Sequence, residues 1–220
     1  PSWLDSLAST SRGSEPMRRL RYWSLLLLIP LLVSCSPSPR ASVVSGCADA
    51  QAACLQGLAT VTMQTDRGEF TIEVNGDAAP LTSGNFVDLV RRGTYDGTMF
   101  HRVVREPVPF VVQGGDPQSS DRSVPLNQLG TGSFVDPDNG QARMIPLEIK
   151  FRSEDQPRYS RISTNPADLD GLVLNHERGA VAMARSQAPD SASAQFYVAL
   201  RPLPELDGRY AVFGRVVEGM

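Results

Sequence analysis

The stretch FHRVVREPVPFVVQGGDP, Phe100 to Pro117, sets one arginine, Arg102, among apolar residues, with Gln113 and a Gly-Gly pair further on. No nucleophile and no metal-ligating cluster accompanies it. A guanidinium is always charged and rich in donors held in a planar fork. Beside an apolar surface that excludes water, such a group acts strongly on a polar group brought against it. The chemistry that suits this set is electrostatic stabilisation without a covalent intermediate. His101 adjoins Arg102, but neighbours on an alternating strand face opposite sides, so His101 is expected to point away. His176, in NHERG, reads as a loop or strand-edge residue. Asp136, Asp138, Glu154, Asp155, Asp168 and Asp170 are scattered and read as solvated loop carboxylates. Gly114-Gly115-Asp116-Pro117 reads as a bend at a strand end.

The elements that must position these residues are mostly short strands. VTMQT and FTIEV, from Val61 and Phe70, alternate and are β-branched, with Asp66-Arg67-Gly68 as the turn of a hairpin. In the APLTSGNFVDLVRRG stretch that follows, Thr82 or Ser83 is expected to cap a helix. Phe86, Leu89 and Val90 would share one face. Arg91 and Arg92 suit its C-terminal dipole, and Gly93 its left-handed end. MFHRVV, PFVVQ, AVAMA, QFYVAL and YAVFGRVV are strand-length runs bounded by Gly, Pro, Asp or Asn. Many short strands with a lone helix predict a mainly β fold, a closed antiparallel β-barrel with capping helices. Between Gln118 and Asn175 the chain is polar and Pro-rich. It is expected to form surface loops with one strand at MIPLEI.

The chain has 220 residues, of which 41% are hydrophobic, which predicts one compact domain with extensions. A net charge of −3 with both signs interspersed argues against nucleic-acid binding. No stretch is long enough for an ordinary spanning helix of about 20 apolar residues. Residues 17 to 35 read as an export signal: Arg18, Arg19 and Arg21 precede the apolar run from Leu25 to Val33. Leu32-Val33-Ser34-Cys35 resembles a bacterial lipobox, which makes Cys35 the lipidation site. Met17 reads as the initiator, and residues 1 to 16 as an upstream or disordered segment. Residues 36 to 58 read as a flexible linker, and 59 to 220 as the domain. Cys47 and Cys54 are either a disulfide, which export permits, or two free thiols.

The stretch FHRVV…FVVQGGD, followed in order by GAVAMAR, SAQFYVAL and LDGRYAVFGRVVEGM, resembles the cyclophilin-type peptidyl-prolyl cis-trans isomerases, over about Val61 to Met220. The wording is nearer to bacterial members than to eukaryotic ones. The resemblance implies rotation about X-Pro bonds in proline-containing polypeptides, with no cofactor or metal. It implies that Arg102, Gln113 and Phe110 are the catalytic residues. Val111, Met183, Ala184, Gln195, Tyr197, Leu206 and Tyr210 would bind substrate around the proline. Val111 stands where many members have methionine, Tyr197 where phenylalanine is usual, and Arg185 where eukaryotic members have asparagine. Glu205 replaces the tryptophan of cyclosporin-sensitive members. In the family a helix and a closing strand follow the last motif. Here both are expected to be missing, leaving Val61 to Thr65 beside the absent strand.

An isomerase assisting the folding of exported proteins is therefore expected, as a monomer held to a membrane by lipid. The alternative is a non-catalytic proline-peptide binding module on the same fold. If Cys35 is the anchor, Cys35→Ser releases the protein from membranes. Fractionation of the mutant checks this, and a mutant still processed and membrane-bound would contradict it.

Overall fold

The computed structural model describes residues 46–48 and 54–220. The expectations placed on residues 1 to 35, Cys35 among them, lie outside the described residues. Strand β1 (Leu58–Thr65) and strand β2 (Gly68–Asn75) form the expected hairpin, with Thr65 opposite Gly68. The Thr65 hydroxyl donates to the Gly68 carbonyl at 2.8 Å and tightens the turn. Helix α1 (Pro80–Arg91) follows, then β3 (Arg102–Val103) and β4 (Val111–Gly114). Two small ribbons come next, β5 (Val135–Asp136) with β6 (Gln141–Ala142) and β7 (Glu148–Ile149) with β8 (Arg158–Tyr159). A one-turn helix α2 (Pro166–Leu169) leads to β9 (Ala180–Met183), β10 (Phe196–Ala199) and β11 (Val212–Glu218).

The main sheet has seven strands in the order β1-β2-β11-β9-β10-β4-β3. Among the described residues no pairing joins β3 to β1, so the described strands make an open sheet and not the closed barrel expected. Its neighbours pair antiparallel throughout. Alternation along β9 and β10 sorts side chains by size. Val181, Met183, Phe196 and Val198 face the main core with Phe86, Tyr95 and Phe213. There Phe86 meets Phe213 at 4.9 Å between ring centroids and Phe196 edge-on at 5.4 Å. The reverse face carries Ala180, Ala182, Tyr197 and Ala199, with Val111, Leu203 and Val212. Alanines stand low on a sheet, so this second face keeps a shallow relief.

Helix α1 begins earlier than its Thr and Ser suggest. Pro80 occupies the first turn, where a missing N–H costs nothing, Ala79 is the N-cap, and no side chain of the helix caps it. The cap comes from a distance. Glu148 is buried and accepts from the Leu81 N–H at 3.1 Å and the Thr82 N–H at 2.7 Å. The Tyr159 hydroxyl donates to the same carboxyl at 2.8 Å. Ser83, now inside the helix, donates to the Asn75 carbonyl at 2.9 Å. Phe86 and Leu89 are buried as expected, and Gly93 ends the helix at φ 68°.

The region from 118 to 175 is a scaffold and not a set of free loops. Leu147, Ile149, Phe151 and Leu172 form a third apolar cluster with Ala211. Arg143 is buried over the Phe134 ring and pairs with Asp88 at 2.5 Å and Asp136 at 3.0 Å. Asp136 is therefore an ion-pair partner inside the fold, not a solvated carboxylate. Burial acts to raise the Asp88 carboxyl, but Arg143 and Arg92 outweigh it and hold it below its ordinary range. The linker boundary also moves. Cys47 and Cys54 form a disulfide with Cα atoms 5.7 Å apart. Leu55 packs on the main core, and its N–H donates to the Pro80 carbonyl at 3.0 Å. Residues 54 to 58 thus pack with the domain, tied further by the Gly76 N–H donating to the Gly57 carbonyl at 2.8 Å and the Gly57 N–H to Asp77 Oδ1 at 3.0 Å.

Burial pushes the Glu148 carboxyl up from its ordinary 4.5. A raised folded-state pKa means the folded protein holds the proton more tightly, so stability falls as pH rises through that window. Glu148→Gln removes this dependence. The mutant is expected to gain stability relative to the parent as pH rises above about 4.5, read from thermal melts of both across the range.

Candidate active site

The register of the sheet aligns the candidates. Arg102 is the cross-strand partner of Gln113, Gln113 of Tyr197, and Tyr197 of Ala182. Directly opposed residues share a face, so Arg102, Gln113 and Tyr197 lie in one row on the face of low relief. Ala184 and Gln195 extend it, since the Ala184 N–H donates to the Gln195 carbonyl at 2.9 Å. Met183 does not join them. It is buried in the main core opposite Phe196, on the reverse side of the sheet. The reason is parity: Met183 and Ala184 are neighbours on a strand and cannot face the same way.

A chain of hydrogen bonds runs along the row. Arg102 Nη1 donates to Gln113 Oε1 at 3.2 Å, and Gln113 Nε2 donates to Gln195 Oε1 at 3.2 Å. Gln195 Nε2 donates to the Gly132 carbonyl at 2.8 Å. The last contact sets the sense of all the others. A carbonyl only accepts, so Gln195 must turn its amide nitrogen to Gly132 and its oxygen to Gln113. Gln113 must then donate to Gln195 and offer its own oxygen to the guanidinium. Arg102 is held by an acceptor and still presents its remaining donors outward.

The loop that carries Gly132 is itself held by Asp116, which is fully buried. Its carboxylate accepts from the N–H groups of Gln118 at 2.9 Å, Gly130 at 2.6 Å and Gly132 at 3.3 Å. Gly115 makes the bend before it at φ 78°, where a Cβ would meet the Ala194 carbonyl oxygen at 2.9 Å. Asp116 and Gly132 were not legible as site residues from sequence, because a bend glycine and its aspartate look alike whether or not they anchor anything. The His101 ring lies against Gly130, and among the described residues neither of its nitrogens has a hydrogen-bond partner. Desolvation pushes it below its ordinary pKa. It takes no part in the row, in agreement with the alternation argument.

An apolar wall stands beside Arg102. The guanidinium lies 5.9 Å from the Phe110 ring centroid. Phe110, Leu206, Tyr210 and Ala184, all half-buried, pack against buried Val111 and Tyr197. Tyr197 meets Tyr210 edge-to-face with centroids 5.9 Å apart. Leu206 comes from the 3-10 turn Pro204–Leu206. Arg185, singled out in the sequence only as a departure, is a rim fastening. It stacks 4.7 Å from the Tyr210 centroid and donates to the carbonyls of Arg209, Ser186 and Gln187. Glu205 is exposed and paired with Arg201 at 2.9 Å.

The model of the family described as cyclophilin type peptidyl-prolyl cis-trans isomerase matches residues 60–220. The chain belongs to that family. A Synechocystis sp. protein named as a thylakoid lumen peptidyl-prolyl cis-trans isomerase is 39% identical over 175 residues, covering 75% of this chain. The match takes in only 43% of that relative, so this chain spans less than half its length. A peptidyl-prolyl cis-trans isomerase of Schizosaccharomyces pombe is 35% identical over 164 residues, covering 74% of this chain and 81% of the relative. A crystal structure of a Cryptosporidium parvum cyclophilin, obtained in the presence of the dipeptide Ala-Pro, matches with a TM-score of 0.52 and 26% identity. That match covers 75% of this chain and 80% of the other. The fold is thus the mainly β cyclophilin fold with few helices, and the domain is a peptidyl-prolyl isomerase domain.

The amide chain of this cyclophilin domain gives a direct test. Gln195→Leu leaves Gly132 and Gln113 without their partner, so the Gln113 amide is free to turn. The expected loss is about tenfold in kcat/KM on an X-Pro peptide, the order of one good hydrogen bond, with an unchanged circular dichroism spectrum.

Proposed function

We propose that this chain catalyses rotation about X-Pro bonds in exported polypeptides. The observation that carries the reading is Arg102, oriented by the Gln113–Gln195–Gly132 chain beside the Phe110 wall. Rotation crosses a barrier of about 18–20 kcal/mol set by amide resonance. The cis and trans forms differ by only about 0.5–1 kcal/mol, so lowering the barrier is the whole task. Twisting the bond ends the resonance and returns a lone pair to the proline nitrogen. A cationic donor facing that nitrogen stabilises the twisted form more than either planar one. Phe110, Val111, Tyr197, Leu206 and Tyr210 receive the ring, and Gln113 meets the substrate backbone. The Cryptosporidium parvum structure with Ala-Pro supports a proline-containing substrate.

Export is supported from three directions. Residues 17 to 35 have the layout of a leader, the Cys47–Cys54 disulfide suits an oxidising compartment, and a Synechocystis relative carries a lumenal name. In this reading Cys35 holds the protein to a membrane, and the domain works as a monomer on passing chains.

Arg102 is exposed on the sheet's last strand, so its loss should spare the fold. Arg102→Ala is expected to lower kcat/KM on an X-Pro peptide by about 10²–10³, the effect of removing a transition-state donor. A folded mutant with parental turnover would overturn the mechanism. A parent that binds the peptide without turning it over would make the domain a binding module.

A further inference from the structure

Behind the proline pocket lie two buried titratable groups that isomerisation, as set out above, leaves without a task. The His176 side chain has no exposed surface, and Asp207 is nearly as enclosed. His176 Nδ1 sits 2.7 Å from Asp207 Oδ1, and the same oxygen accepts the His176 backbone N–H at 2.8 Å. On the far side of the ring, Nε2 lies 2.8 Å from the Tyr197 hydroxyl, and the two rings stack at 13° with centroids 6.0 Å apart.

The direction of these bonds follows from what each group can do. A carboxylate only accepts, so Nδ1 carries the proton toward Asp207. In the neutral ring Nε2 then keeps a lone pair. Burial pushes the Tyr197 hydroxyl well above its ordinary pKa, so it keeps its proton. The hydroxyl donates to Nε2, which turns the polar end of Tyr197 away from the pocket and leaves its ring for the substrate. The same histidine also holds the opposite wall. Its carbonyl accepts from the Leu203 N–H at 2.8 Å, and the Leu203 carbonyl accepts from Leu206 at 2.9 Å. Asp207 closes that turn. One residue thus joins the Tyr197 strand to the Leu206 turn, the two sides between which a proline ring would sit.

We propose that His176 and Asp207 are positioning residues for the proline pocket, acting through the Tyr197 hydroxyl to keep the pocket formed before substrate arrives. The proposal rests on the isomerase reading. A pocket formed in advance lowers the cost of binding, so the effect falls on KM more than on kcat.

The experiment compares the parent, Tyr197→Phe, His176→Gln and the double mutant. KM and kcat are measured on an X-Pro peptide, and the Kd of a blocked Ala-Pro peptide is measured by titration. Tyr197→Phe removes a single oxygen from the structure and strands Nε2. It is expected to raise KM and Kd about fivefold, the order of one hydrogen bond, with kcat nearly unchanged. His176→Gln is expected to do the same in the parent and to add little in the Tyr197→Phe background, since the coupling runs through one hydroxyl. The ¹⁵N spectrum of the parent should show the His176 proton on Nδ1, and Tyr197→Phe should move the Nε2 signal. Equal effects of His176→Gln in both backgrounds would mean that the histidine is only structural and would overturn the proposal. So would parental KM and Kd in Tyr197→Phe, a result that stands even if His176→Gln fails to fold. A parent without turnover would tell against the isomerase reading, while the Kd comparison would still decide this one.

Discussion

Adjacent residues on a strand face opposite ways, and along β9 and β10 that constraint separates a core from a site. Large side chains, Val181, Met183, Phe196 and Val198, go to the face covered by helix α1. Small ones, Ala180, Ala182 and Ala199, go to the other, where Tyr197 is the exception and becomes a wall. Those alanines are themselves buried, so a bulkier residue at any of them would push out Val111, Tyr197 or Leu203, which back the candidate pocket. The same alternation excludes Met183 from the pocket and admits Ala184. Core and site are therefore two readings of the same few residues, and neither can be repacked without moving the other.

The second organising feature is the use of buried polar groups whose partners lie far along the chain. Glu148 caps α1 across 66 residues, and Gln195 reaches the Gly132 carbonyl across 63. His176 meets Asp207 across 31. Each link has its hydrogen bonds largely satisfied, and that is what makes a buried polar group tolerable and geometrically specific. The stretch from 118 to 175 supplies most of these partners. It caps the helix, neutralises Arg143 with Asp136, and orients the glutamines beside Arg102. Its polar composition, which resembles that of surface loops, reflects this bonding work.

Much of the candidate site was legible because its residues sit in short contiguous runs. Arg102, Phe110, Val111 and Gln113 lie on one hairpin, and Gln195 directly precedes the strand that carries Tyr197. Period-two alternation correctly set His101 apart from Arg102, and the same rule, applied to residues 183 and 184, would have removed Met183. Glu148, Asp116 and His176 left no such trace. A carboxylate that caps a helix from another part of the chain has no periodicity and no local partner. The helix start was misplaced for the same reason, since Thr82 and Ser83 fit a local capping rule while the group that caps lay beyond its window. Leu55 looked like linker because one leucine in a polar segment carries little signal until the surface that receives it is known.

The glutamine row has a consequence for how such a site can change over time. Its polarity originates in the Gly132 carbonyl, a main-chain atom at a position where a Cβ would meet Asp116 Oδ1 at 2.1 Å. In the proposed isomerase, side chains at 110, 111, 197 or 206 can be exchanged one by one, altering which prolyl sequences fit. The group that decides which end of each amide faces Arg102 depends instead on Gly132 and the buried Asp116 that holds its loop. Substrate preference and orientation of the cation are thereby inherited separately, and a lineage can retune the first while the second stays under the control of the backbone.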